Sequence, residues 1–406
     1  MPIPKDVDLT DHDQREAVVL ANQDALELRI DPDVVDPNLP DLEQVKRLVG
    51  TSTGGGQALA VRDPRIRVEV VKREGGTTLT EAAVARGLRW LAKHQNKDGS
   101  WSLHNFNRSR GCTCTGTGTR CDAAGTSLAL FPFLGAGQTH LVGRYREQVS
   151  RGLRWMLEHQ DDNGDLRAGS TGNTGMYAHG QATIVLCEAY LMTGDEELRD
   201  PAQRAIRFIV DAQHPAGGWR YRPKEAGDTS VLGWQVMALQ SGRAAKLDVP
   251  AVTLELADHY LDSVADATGA RYSYQPRHRP THIMTAEALL CRMYLGWRLD
   301  EPGLRRGIKY LIEEHLPYNG SPNIYYWYYG TQAMHHHGGP EWEQWNNQMR
   351  KILVESQVRR GHPAGSWDPR GPHAAAGGRI YMTALATCTL EVYYRHLPIF
   401  RQLDLD

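Results

Sequence analysis

Apolar and polar positions along most of this chain follow two alternating patterns. In the first, apolar residues recur every three or four positions opposite a charged face, as at Ile206, Ile209 and Val210 within Ala202–Gln213. That is the period of a helix lying on a surface. A glycine-tryptophan corner follows, here Ala216-Gly-Gly-Trp219, and then a loop holding Pro223. In the second pattern the residues are apolar nearly all round, as in Ala182-Thr-Ile-Val-Leu-Cys-Glu-Ala-Tyr-Leu-Met192. A helix of that kind wants burial on every side. Corner residues fall at 101, 166, 219, 272, 325 and 367, so three successive intervals are 53 residues. Equal spacing of this length marks a repeat. The second helices are expected over 122–135, 177–193, 229–240, 282–297, 326–335 and 380–396.

Six amphipathic and six apolar helices in alternation fit two concentric rings, with the apolar set around a central cavity. The predicted fold is all-α, an (α/α)6 toroid of six helix pairs over residues 76–400. An open solenoid of helix pairs is the alternative. Residues 1–75 form an irregular N-terminal arm. Within it a short helix is expected near Arg15–Leu28, a flexible linker at 51–57 and a strand at Ile66–Val71. Thr80 is the expected N-cap of the first toroid helix.

Charge changes this picture only at the start. Residues 1–50 carry twelve acidic and five basic side chains, while the whole chain has a net charge of −2. The body is therefore mildly basic, without the field that nucleic acid would require. No run of about 18 apolar residues occurs, so no transmembrane segment is expected. Met1-Pro-Ile-Pro-Lys has no signal-peptide core, which makes the cytoplasm the default and export a matter of a removed leader. Six cysteines are too few for a disulfide scaffold. Oligomeric state is not legible.

The motif Trp90-Leu-Ala-Lys-His-Gln95 with Asp98-Gly-Ser-Trp101 resembles the glutamine-tryptophan repeat of squalene–hopene and oxidosqualene cyclases. Gln213 with Trp219 and Gln357 with Trp367 are similar. Protein prenyltransferase β subunits share the repeat fold. The resemblance covers about residues 80–396 and implies a toroid, with Gln bonding the backbone of the next helix's first turn and Trp packing on the outer helix. It also implies where an acid would stand. Class II terpene cyclases use the third position of an Asp-x-Asp-Asp-Thr-Ala pattern, and this chain reads Glu225-Ala-Gly227-Asp228-Thr-Ser230 there. Glycine occupies the catalytic position. Asp228 is left as a candidate acid or as a helix N-cap. Prenyltransferases place zinc on Asp, Cys and His, but Ser230 stands where the cysteine is needed.

Other candidate chemistry lies at the corners. His179 and His282 start inner helices and join Asp228 as candidate catalytic groups. Cys112, Cys114 and Cys121 lie in a glycine-threonine loop and admit three readings: a zinc site completed by Asp122, His104 or His179; a disulfide or idle thiols; or a reactive thiol. No other cofactor is indicated. Tyr326, Trp327 and Tyr329, with Trp234, Tyr177, Gln332 and Tyr381, are candidate walls for an apolar or isoprenoid ligand, since aromatic faces stabilise carbocations. Function is therefore read as ligand binding in a central cavity, with terpene-cyclase-like catalysis, a catalytically silent binding protein or scaffold, and polysaccharide lyase-like chemistry as competing forms.

Overall fold

A computed structural model describes residues 62, 64–109, 111–170 and 172–396. The expected helix at Arg15–Leu28 and the linker at 51–57 lie outside these residues. Among the described residues there are fourteen helices and two strands of two residues each. The strand expected at Ile66–Val71 is helical instead, within α1 (Pro64–Arg73). Ile66, Val70 and Val71 are buried, so helical spacing rather than alternation decided the segment.

Six helix pairs follow. The outer helices are α2 (Thr78–Lys93), α4 (Arg146–Glu158), α6 (Glu196–Ala212), α8 (Ala251–Val264), α10 (Pro302–Glu314) and α12 (Gly339–Ser356). The inner helices are α3 (Asp122–Gly135), α5 (Gly175–Thr193), α7 (Thr229–Ala244), α9 (His282–Tyr294), α11 (Ile324–His337) and α13 (Ala374–Leu390). A last turn, α14 (Val392–Arg395), ends the described chain. Each inner helix packs on the next and α13 packs back on α3, so the ring is closed. The N-cap of α2 is Thr77 rather than Thr80. The two threonines form a capping box, in which each side chain accepts from the other's backbone N–H.

The repeat residues hold the ring by hydrogen bonds. Gln213 Nε2 donates to Gly217 O at 2.8 Å and to Thr253 O, in the next outer helix, at 2.9 Å. Gln95 does the same with Gly99 O and Gln148 O. Gln357 reaches Gly365 O and Ala83 O, which joins the sixth unit to the first. The partners are carbonyls, because the side-chain amide acts as donor. Trp101, Trp219 and Trp367 each donate their indole N–H to a carbonyl near the end of their own outer helix, at Leu91, Ile209 and Leu353. These bonds add a donor to carbonyls in the last turn of each outer helix. The corner glycine has positive φ, +90° at Gly217, where a Cβ would lie 1.9 Å from Leu256 O.

The axis is filled by rings. Phe131 of α3 stacks on Trp234 of α7 at 5.8 Å, and Trp234 stacks on Tyr328 of α11 at 5.7 Å. Tyr329 meets Trp234 edge-on at 5.8 Å. All four are buried.

Candidate functional site

The inner helices all start at one end of the toroid, and polar side chains gather there. Asp228 caps α7, accepting from Val231 N and Ser230 Oγ, both at 2.8 Å. Its second oxygen accepts from Tyr274 Oη at 2.8 Å, and Tyr274 is 2.6 Å from Tyr221 Oη. Arg220 lies 3.5 Å away. Burial raises the Asp228 pKa against these donors. Both oxygens are engaged, so the group is first a cap. Tyr177 Oη, half-buried, bonds Ser230 Oγ on the same rim.

Glycine at 227 has a packing cause. A Cβ there would come within 2.6 Å of Gly218 Cα, backbone against backbone, where the corner folds on itself. Tyr260 Oη and Gln275 Nε2 both donate to Gly227 O. A side chain at the position where class II cyclases keep their acid would open this corner.

One turn deeper, α9 supplies a carboxyl that pattern reasoning missed. Glu287 has no exposure at all, and Tyr325 Oη lies 2.9 Å from each of its oxygens. Gly233 of α7 makes room for it, since a Cβ there would sit 2.1 Å from Glu287 Oε1. Burial pushes the Glu287 pKa well above the usual carboxyl range, and the charge of Asp228 pushes the same way. Burial raises the pKa of Tyr177, Tyr329 and Tyr381, and Glu287 adds to each shift. Among the described residues, Gln181 Oε1 and the Tyr381 hydroxyl are buried with no hydrogen-bond partner. Gln181 stands one turn after Tyr177 on α5. The only sequence signal for Glu287 was a lone carboxylate in an apolar helix.

Several expected site residues are placed elsewhere. His179 is fully buried, with Nδ1 accepting from Leu166 N and Nε2 3.1 Å from Ala205 O on the outer helix α6. Burial pulls its pKa down to about 4. It is a bonded core group with no nitrogen left for a substrate. His282 stacks on His315 at 4.3 Å, and burial pulls its pKa to about 4 as well. Tyr326 turns away from the axis, donating to His315 O and meeting Trp345 of the outer helix α12. Trp327 is buried, and Gln332 donates to Tyr328 O within α11.

The thiols divide. Cys121 Sγ faces Ser170 Oγ at 3.2 Å, outside any cluster. Cys112 and Cys114 instead meet two histidines, His94 at the end of α2 and His362 in the sixth corner. The four candidate ligand atoms lie within 4.8 Å of one another. Neither His104, Asp122 nor His179 belongs to this group. All six cysteines are free, so no disulfide forms among them.

Comparison with known proteins agrees with the architecture. Residues 68–181 match the family described as the squalene-hopene cyclase C-terminal domain. A squalene–hopene cyclase of Bradyrhizobium diazoefficiens is 24% identical over 307 residues, covering 66% of this chain. The chain spans about half the length of that relative, 46%. Among solved structures, the type II terpene cyclase MstE from Scytonema, in complex with geranylgeranyl dihydroxybenzoate as substrate, has TM-score 0.52 and 13% identity over 78% of this chain and 97% of that one. An inactive variant of an α-1,6-mannanase from Salegentibacter, bound to α-1,6-mannotriose, has TM-score 0.52 and 10% identity over 78% and 99%. Over residues 68–181 the chain is similar to the squalene-hopene cyclase C-terminal domain, and its whole toroid is similar in fold to squalene-cyclase-like proteins. The likeness to the solved structures is one of fold.

Proposed function

We propose that the end of the toroid where the inner helices begin binds a small, mainly apolar ligand of isoprenoid type and presents a neutral carboxylic acid to it. The observation that carries this reading is Glu287, fully buried, with Tyr325 Oη 2.9 Å from each of its oxygens and its pKa raised by burial. An undissociated acid facing aromatic rings can protonate an alkene and stabilise the resulting cation. In this reading Glu287 takes the acid role expected of Asp228, which stays a cap. The axial stack of Phe131, Trp234 and Tyr328 confines the ligand to one end of the ring. Gln181 and Tyr381 offer the unpartnered polar atoms that would orient a hydroxyl. A catalytically silent binding protein is the second reading, favoured by the closed corner at Gly227.

Two measurements separate these. Incubation with linear polyprenyl alcohols and epoxides, with products followed by gas chromatography and mass spectrometry, yields cyclised products that Glu287→Gln abolishes if the protein is a cyclase. Binding without product selects the silent form. The protonation of Glu287 is tested independently of any ligand. A carboxyl whose folded-state pKa lies above its unfolded value contributes stability that is present below the unfolded value and lost as pH rises toward the folded one. From the ordinary carboxyl value of 4.5 upward, the wild type therefore loses stability relative to Glu287→Gln, by up to about 1.4 kcal/mol per pH unit. Denaturant unfolding at pH 4 and pH 8 reads this difference. The same gap at both values would mean that Glu287 ionises normally.

A further inference from the structure

The ring closes between its sixth and first units, and there the chain gathers two thiols and two imidazoles. His94 and the Cys112–Cys114 loop belong to the first unit, and His362 belongs to the corner of the sixth. Cys114 Sγ is 3.5 Å from His94 Nε2 and 3.2 Å from His362 Nδ1. Cys112 Sγ is 3.6 Å from each of the same two nitrogens. A tetrahedral zinc with Zn–S of about 2.3 Å and Zn–N of about 2.0 Å has sulfur-to-nitrogen edges of roughly 3.5 Å. All four observed separations fit such a tetrahedron about one central ion.

The surroundings favour coordination. His94 Nδ1 lies 2.7 Å from Trp90 O, so its proton is held there and the Nε2 lone pair points at the sulfurs. Fixing the far nitrogen in this way is how ligating histidines are oriented. His159 makes the same bond to Trp155 O in the second unit, with no cysteine in its cluster. The backbone bond is thus part of the repeat, and the Cys-x-Cys loop is what the first unit adds to it. That loop is pinned across the seam by bonds that need no metal. Arg379 Nε donates to Thr115 O, Arg379 N to Gly116 O, and Thr119 N to Ala376 O. Two thiols cannot donate to both imidazoles at once without leaving two short sulfur–nitrogen contacts unbonded, because each thiol has one proton.

We infer that His94, Cys112, Cys114 and His362 form a zinc site that staples the last repeat of the ring to the first. Zinc displaces the two thiol protons to solvent, and the Zn²⁺ with two thiolates and two neutral imidazoles carries no net charge. Four protein ligands leave no open position, so the site is structural rather than catalytic. It is separate from the chamber around Glu287, and neither proposal depends on the other.

The test begins with wild-type protein purified without chelator. Elemental analysis should give about one zinc per chain. Exchange for Co²⁺ should give the visible absorption of tetrahedral cobalt together with thiolate charge transfer. Cys112→Ser with Cys114→Ser should abolish both signals, His362→Ala should reduce zinc to a small fraction, and Cys121→Ser should change nothing. Chelation should lower the wild-type Tm by about 5 °C or more and leave the double serine variant unmoved. The proposal is overturned if the wild type holds no zinc and gives no cobalt spectrum, if Cys121→Ser loses the metal too, or if chelation strips zinc without moving Tm.

Discussion

Arg395→Ala is expected to lower unfolding free energy by about 3–5 kcal/mol, the cost of leaving a buried charge without its partner. The guanidinium is buried where the inner helices end. Its Nη2 lies 3.2 Å from both oxygens of Glu188, and Nη1 donates to Phe131 O and approaches Glu391 at 3.7 Å. It also sits over the Phe131 ring at 5.4 Å. Arg62 completes the cluster, 3.1 Å from Glu188 and donating to Arg395 O at 2.9 Å. Burial alone would raise the Glu188 pKa, but Arg395 and Arg62 outweigh it and hold the group below the usual range. Without Arg395, Glu188 keeps only one cation. Urea unfolding at pH 7 measures the loss. The double variant Arg395→Met with Glu188→Gln should recover little of it, since the buried Arg62 then loses its carboxylate. A single variant within 1 kcal/mol of wild type would show that the cluster is solvated.

Trp234→Ala is expected to cost a further large amount, about 3–5 kcal/mol, because the ring is the middle member of the axial stack. Phe131 and Tyr328 cannot close the gap by themselves, since they project from different helices of a closed ring. The space left would be apolar and dry. Indole should therefore raise the Tm of Trp234→Ala while leaving the wild type unmoved. A variant as stable as wild type, or blind to indole, would mean that the axis is already open.

The fold was legible because the repeat is written in residues with fixed jobs. Gln213, Gly217 and Trp219 each satisfy or permit a backbone requirement at the corner, so their spacing reports the architecture directly. The boundaries of the inner helices followed from runs of apolar residues that only a buried ring accommodates. The segment Ile66–Val71 misled because a short β-branched run fits either period, and burial against the toroid decided it.

The site was less legible, for two physical reasons. Glu287 and Glu188 each sit inside an apolar run, and sequence does not tell which neighbours will desolvate or pair them. Glu287 found tyrosines, and burial raises its pKa; Glu188 found two arginines, which hold its pKa down. A zinc site was one of three readings of the thiol loop, and two of the four groups now gathered there come from residues whose motif roles hid them. His94 precedes the repeat glutamine, and His362 lies 248 residues from Cys114 in sequence. Cys121 was the natural third ligand by proximity, yet it starts α3 and faces the second unit instead. Only closure of the ring brings His362 to the loop.

Isothermal titration of the whole protein with farnesol and geranylgeraniol tests most directly whether the inner-helix starts form a ligand site. The prediction is saturable binding of about one ligand per chain, weakened at least about tenfold, or about 1.4 kcal/mol, by Gln181→Trp, which puts a larger ring in place of a buried polar side chain of α5. No saturable binding by the wild type, or unchanged binding by Gln181→Trp, would contradict it.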